Sequence, residues 1–176
     1  MTESAFDTVG PAEFKKVAGR WASGCAVISS VGSDGHFHGV TMSAVTSLSL
    51  DPMQFLVCLA HSSRTFTAVT ESQRFAINML AAGQQDLAMH FASRHDDKFD
   101  SVPHVLHDKV PVISGALGYV VCKAARILDG GDHAIIIGDV AHLGISEGEP
   151  LLYYAGRFGH FVHGARTSAP ALAGAD

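Results

Sequence analysis

Two long apolar runs, Leu117–Leu128 (LGYVVCKAARIL) and His133–Ile145 (HAIIIGDVAHLGI), flank Asp129-Gly130-Gly131-Asp132. Runs rich in β-branched residues around a Gly-Gly pair form a hairpin, because a tight turn between strands needs positive φ, which glycine adopts at no steric cost. The second half of the chain is therefore committed to antiparallel sheet. Further strands read from Cys25–Val31 (CAVISSV), from Gln54–Leu59 (QFLVCL), from Arg74–Leu80 (RFAINML) and from Leu151–Gly159 after the Glu149-Pro150 turn. Ser33-Asp34-Gly35 turns the first of these into a hairpin with the stretch that follows.

Helical spacing is confined to short pieces. Phe14, Val17, Ala18 and Trp21 recur at i, i+3, i+4 and i+7 after Gly10-Pro11, which predicts an amphipathic helix covering something apolar. A second helix is expected from the Ser62–Thr65 segment to about Ser72. A third runs from about Gln84 to Ala92, with Leu87, Ala88 and Phe91 on one face. Six or seven strands with a few short covering helices point to a mainly β fold, a small closed or split barrel, rather than to βαβ layers.

At 176 residues the chain is long enough for one domain with a full core. We expect an N-terminal arm over 1–12, a domain over 13–162 and a disordered Ala/Gly/Ser/Pro-rich tail over 163–176. Charged residues make up 16% and hydrophobic ones 47%, against a usual charged share of about 25%. Such a protomer has apolar surface to spare, and a homo-oligomer is the expected outlet. A net charge of −5 argues against a binder that works by neutralising nucleic-acid phosphates. No apolar run reaches the roughly 18 residues of a membrane span, and residues 1–10 lack a basic then apolar leader pattern, so the expected location is cytoplasmic. Cys25, Cys58 and Cys122 each sit inside an apolar run with no paired spacing, as small core residues in a reducing compartment do.

The chemistry concentrates in two stretches. In GVTMSAVTSLSLDP (Gly39–Pro52), read as one strand, Thr41, Ser43, Ser47 and Ser49 share one parity, and Val40, Met42, Ala44, Leu48 and Leu50 share the other. A face of neutral hydroxyls and backbone N–H groups suits a planar heterocycle such as a flavin, since each hydrogen bond orients the ring without burying an unpaired charge. In HSSRTFT (His61–Thr67), Ser62, Ser63, Arg64 and Thr65 stand where a strand gives way to a helix. Capping hydroxyls, free N–H groups and a guanidinium there outline a phosphate cradle. Arg94 and Lys98, in SRHDDKF, are placed to reach the same anion. No G-x-G-x-x-G, P-loop or G-x-S-x-G occurs in a suitable context. The eleven histidines show no metal-ligand spacing, so no metal site is expected.

The ordered set GVTMSAVTSLSLDP, CLAHSSRTF, RFAINML, QQDLAMHFASRHDDKF, DGGDHAIIIGDV and PLLYYAGRFG resembles the flavin reductase-like family with the FMN-binding split-barrel fold, over about Phe14 to Phe161. The resemblance implies a mainly β, Greek-key split β-barrel. It also implies reduction of free FMN or FAD by hydride transfer from NADH or NADPH. The reduced flavin would go to a partner flavin-dependent monooxygenase, and the reductase would be a homodimer. It further implies that Thr41, Met42, Ser43, Ala44 and Ser47 line the flavin ring and ribityl chain, with Cys58 and Leu59 on the neighbouring strand. Ser62, Ser63, Arg64 and Thr65 would hold the phosphate, with Phe91, Arg94 and Lys98 near it or near an adenylate end. His133 would lie beside the nicotinamide as the catalytic residue, and Tyr153 and Arg157 would close the pocket. Related barrels leave two other readings open: a non-catalytic flavin carrier, and an enzyme of the pyridoxamine-phosphate oxidase or haem-degrading kind.

Overall fold

The computed structural model describes residues 9–164. Helix α1 (Pro11–Ala18) precedes β1 (Ser23–Gly24), β2 (Ala26–Val31), β3 (Phe37–Met42), β4 (Val45–Leu50) and β5 (Met53–Ala60). Then come α2 (Arg64–Ser72), β6 (Arg74–Met79), α3 (Gln85–Ala92), β7 (His104–His107) and β8 (Val110–Ile113). The long pair β9 (Gly118–Gly130) and β10 (His133–Ile145) follows, and β11 (Leu151–Tyr154) and β12 (Arg157–His160) complete the order. The proposed tail lies outside the described residues from 165 onward, as do residues 1–8 of the arm.

Seven strands form one antiparallel sheet in the order β3-β2-β6-β9-β10-β5-β4. Its two edge strands, β3 and β4, are consecutive in the chain and separated only by Ser43 and Ala44. The sheet has therefore curled until its edges are joined by a corner of the backbone, where Cys58 N–H donates to the Ala44 carbonyl at 3.1 Å. Alternate residues point into the barrel. Ile28, Val57, Leu59, Phe75, Ile77, Val120, Ala134 and Ile136 form its core, with Val69 and Phe66 of α2 packed beneath. Each fully buried Val, Leu, Ile or Phe among them contributes about 1.5–3 kcal/mol. Register shifts at Ile137/Gly138 and Val140/His142 bend the long hairpin around this core. Gly138 is required on packing grounds, since a Cβ there would come within 2.6 Å of the Phe75 ring and the Cys122 Cβ.

A second sheet, β1-β11-β12, is tied to the barrel through Cys25 N–H to the Leu151 carbonyl and Leu80 N–H to the Cys25 carbonyl, at 3.0 and 2.9 Å. A third layer, the β7–β8 hairpin, covers the outer face of β6 and β9, with Val110 and Val112 against Ala76 and Val121. Buried Asn78 fastens it: its amide donates to the Val27 carbonyl and Ser29 Oγ, and its carbonyl oxygen accepts from Ile113 N–H at 2.8 Å.

Four expectations are corrected. The Gly39–Leu50 stretch is two strands, and the corner between them shifts the inward parity from Val40 and Met42 to Val45, leaving Leu48 and Leu50 exposed. The Leu151–Gly159 run is a hairpin, because Ala155 and Gly156 both take positive φ. The β7–β8 hairpin is additional, and its turn residues at positive φ are Asp108 and Lys109 rather than glycine. Helix α1 stops at Ala18, short of Trp21, and buries none of its residues: Phe14 and Val17 are exposed, as is Trp21 beyond its end, and the helix end is held by Ala155 N–H on the Gly19 carbonyl at 2.9 Å.

Candidate functional site

Strand β5 ends at Ala60, Ser63 N–H turns back onto its carbonyl at 2.9 Å, and α2 begins at Arg64. Ser63 occupies the N-cap, but its hydroxyl makes no capping bond. The opening N–H groups of α2 have no intrahelical partner, and together with Ser62 and Ser63 they edge a cavity of about 560 Å³. That is a stronger anion site than a filled cap would be, because the helix dipole and its free donors converge on open space.

The opposite wall is built by α3 and the loop after it. A Cβ at Gly39 would meet the Phe91 ring at 2.6 Å, so only glycine lets α3 approach β3 this closely. The approach brings Ser93–Asp96 and Lys98 across from the Ser62–Thr65 turn. Lys98 is buried, and its ammonium donates to the carbonyls of Phe91 at 2.8 Å and Gly39 at 3.1 Å. Burial lowers its pKa below the usual lysine value, helped by the Arg64 charge and opposed by Asp96. Arg64 forms an ion pair with Asp96 and donates to the His95 carbonyl at 3.3 Å. Burial also lowers the pKa of His38 on β3, with Asp34 opposing.

A second cavity, of about 450 Å³, is lined by neighbouring residues of the same two elements: Thr41 follows Val40 on β3, and Ala92 at the end of α3 precedes Ser93. Thr41, Met42, Ser43, Cys25, Tyr153 and Phe158 are among its lining residues. A third, of about 430 Å³, shares Cys25 and Ser43 with it and continues past Val45–Ser47 to Phe55, Leu80 and Leu151. Among the described residues, the lining of these two contains no carboxylate, lysine or arginine. Burial pushes the Cys25 thiol up to about 11, so it is neutral at pH 7. Thr41 spends its hydroxyl proton on the Ala88 carbonyl at 2.6 Å, which fixes α3 to the cleft wall. The result is a cation-rich cradle and a neutral, partly hydroxylic slot on successive stretches of β3, the donor set that fits a phosphate carried on a planar apolar ring.

Most of the expected residues converge here. Ser62, Ser63, Arg64, Thr65, Arg94 and Lys98 line the cradle; Thr41, Met42, Ser43 and Tyr153 line the slot; Ser47 lines its extension. Ala44 lies at the exposed corner. Phe91 is fully buried behind Gly39 and supports the wall rather than facing the cavity. Leu59 is corrected: its side chain is in the barrel core and is not open to a ligand. Cys58 pairs with Ile135 on the face opposite that core. Arg157 lines a separate hollow with Tyr154 and Gly159. His133 starts β10 opposite Ala60, half exposed, with Nδ1 2.7 Å from Asp132 Oδ1. It stands at the strand end that leads into the cradle, but outside the lining of the three cavities. Sequence reasoning missed Cys25, His38, Asp96 and Phe158. Of these, only Asp96 carried a signal, in the charge cluster beside Lys98.

The flavin reductase like domain pattern matches residues 18–161, the span that builds the barrel, the cradle and the slot. This chain belongs to the flavin reductase-like family. The reductase component of 4-nitrophenol 4-monooxygenase/4-nitrocatechol 2-monooxygenase from Rhodococcus opacus is 38% identical over 162 residues, covering 92% of this chain and 87% of that protein. An NADH-dependent flavin reductase from a Rhodococcus species is 33% identical, covering 90% and 92%. Among solved structures, the NADH:FAD oxidoreductase of Streptomyces globisporus C-1027 superposes with a TM-score of 0.83 at 33% identity, covering 90% of this chain and 99% of that one. In this flavin reductase-like barrel the cradle and slot lie on the segments whose motifs carried the resemblance.

Proposed function

We propose that the protein is an NAD(P)H:flavin oxidoreductase that reduces free FMN or FAD and releases it to a separate flavin-dependent monooxygenase. The observation that carries the reading is that a cationic cradle and a neutral slot are lined by successive residues of β3. When bound, the flavin supplies the acceptor for a hydride from the nicotinamide, so two electrons pass and oxidised nicotinamide leaves. The chain's own residues have a simpler task. The α2 N-terminus, Ser62, Ser63 and Arg64 hold the phosphate, and Lys98 braces the wall behind it. Thr41 to Ser47 orient the ring through hydroxyl and backbone groups, and Tyr153 and Phe158 limit the slot from the other side. Among the described residues the slot brings no carboxylate, lysine or arginine, which suits a reaction whose demand on the protein is alignment.

His133, oriented by Asp132, is assigned to the nicotinamide side of the site. A homodimer is supported by the exposed apolar side chains: Phe14 and Val17 of α1, Trp21 just after it, and Leu50 and Ile145, which are 91% and 92% exposed. Handing reduced flavin to an oxygenase is supported by the relative named as the reductase component of a monooxygenase. Among the described residues no helix is long and apolar enough to cross a membrane, and a cytoplasmic location is part of this reading. The domain bounds 13–162 and the tail 163–176 belong to it as well. The test is NADH and NADPH consumption with and without added FMN or FAD. Oxidation that depends on added flavin supports the assignment, whereas flavin binding without nucleotide oxidation makes the protein a carrier.

A further inference from the structure

The Arg64 guanidinium faces the cradle, yet its partners all come from the loop that forms the opposite wall. Asp96 is ion-paired with it, the His95 carbonyl accepts at 3.3 Å and the Arg94 carbonyl at 3.5 Å. Asp96 is the only carboxylate among the described residues that line this cavity. Lys98 is occupied differently, by two neutral carbonyls, so its charge remains available to an incoming anion. A carboxylate and a phosphate present the same acceptor geometry to a guanidinium, and two anions cannot share one fork without repelling each other. Both partners of the pair sit at the wet mouth of the cavity, with side chains 53% and 71% exposed, so Asp96 can give way into water at small cost.

We propose, on the reading that the cradle holds the flavin phosphate, that Asp96 is a positioning residue that competes with that phosphate for Arg64 and holds flavin affinity down. With no ligand in the cradle, the carboxylate keeps the guanidinium aimed across it and draws the 94–96 loop against the α2 N-terminus. When a flavin phosphate enters, the guanidinium exchanges one anion for the other. When the flavin leaves, Asp96 closes the exchange from the other side. Low affinity is what a reductase needs if reduced flavin is its product and must depart.

The test is the dissociation constant of FMN and of riboflavin, which lacks the phosphate, for the wild type, Asp96→Asn, Arg64→Ala and the double variant at low salt. Asp96→Asn keeps size and shape and changes an exposed residue, so folding is retained. Its FMN affinity is expected to rise about two- to fivefold, the worth of one exposed ion pair. Riboflavin affinity stays unchanged, the gain shrinks with added salt, and the double variant loses it. FMN affinity unchanged in Asp96→Asn while Arg64→Ala weakens FMN would overturn the competition and leave the phosphate cradle standing. Equal shifts for FMN and riboflavin would make Asp96 a loop brace and overturn it too. If Arg64→Ala alters neither ligand, the cradle assignment itself falls, and the role of Asp96 falls with it.

Discussion

Lys98 Nζ reaches the Gly39 carbonyl at 3.1 Å, which ties the loop after α3 to the β3 strand. Because the same ammonium also holds the Phe91 carbonyl at 2.8 Å, one buried cation joins the three pieces of chain that form the cradle's inner wall. Lys98→Met keeps the aliphatic stem and leaves both carbonyls without this donor. The expected loss is about 1–3 kcal/mol of unfolding free energy, together with weaker FMN binding. Denaturant unfolding and FMN titration check both; a variant as stable as the wild type would show that the carbonyls find other partners.

Arg64→Ala should weaken FMN binding by about 0.5–2.8 kcal/mol. A charged hydrogen bond is worth about 1.5–3 kcal/mol, and the exposed Asp96 pair that must be given up offsets about 0.2–1. Unfolding free energy should barely change, since both side chains of that pair are in contact with water. Calorimetric titration with FMN measures the effect, and unaltered affinity would place the phosphate elsewhere.

His133→Ala should lower kcat/KM for the nicotinamide cofactor about 3- to 10-fold, the size of one neutral hydrogen bond, while flavin affinity holds. Asp132→Asn should give a smaller loss in the same direction, because its carboxylate only orients the ring through Nδ1. Steady-state kinetics at saturating flavin separate the effects. Wild-type turnover in both variants would reduce His133 to a hairpin residue.

His38 gives a pH dependence whose sign follows from its environment. Burial lowers its folded pKa below the unfolded value of 6.5. Between those two values the unfolded chain binds the extra proton and the folded one does not, so stability rises with pH across that window. The contribution is complete above 6.5 and is lost as pH falls through the folded pKa. The wild type should therefore lose more Tm than His38→Gln between about pH 7.5 and 5. An anion in the cradle favours the charged ring, so FAD binding near pH 6 should take up protons in the wild type and fewer in the variant. Parallel melting curves would remove His38 from the account.

Much of this architecture was legible in the sequence, for identifiable reasons. The limits of β10 at His133 and Ile145 were read correctly because a Gly-Gly turn and a β-branched run leave little freedom. Leu87, Ala88 and Phe91 were rightly placed on one face of α3, since helical spacing and burial agree there. The corner at Ser43–Ala44 was hidden because it holds no glycine, proline, asparagine or aspartate and the alternation runs on through it. The β7–β8 hairpin was hidden because its turn is Asp108-Lys109 and its docking depends on the buried polar contacts of Asn78 and Ser29. The grouping of Ser62–Thr65 with Arg94 and Lys98 around one cavity was legible by type and order. The Arg64–Asp96 pair was not, because it joins residues from different elements that only the fold brings together.

The central claim is that flavin is a substrate that comes and goes, and the most direct test is anaerobic titration with excess NADH and excess free flavin over protein. Many equivalents of FMN or FAD should be reduced per chain, with an equal number of equivalents of NADH oxidised. Reduction that stops at one equivalent, with the reduced flavin retained on the protein through gel filtration, would contradict it.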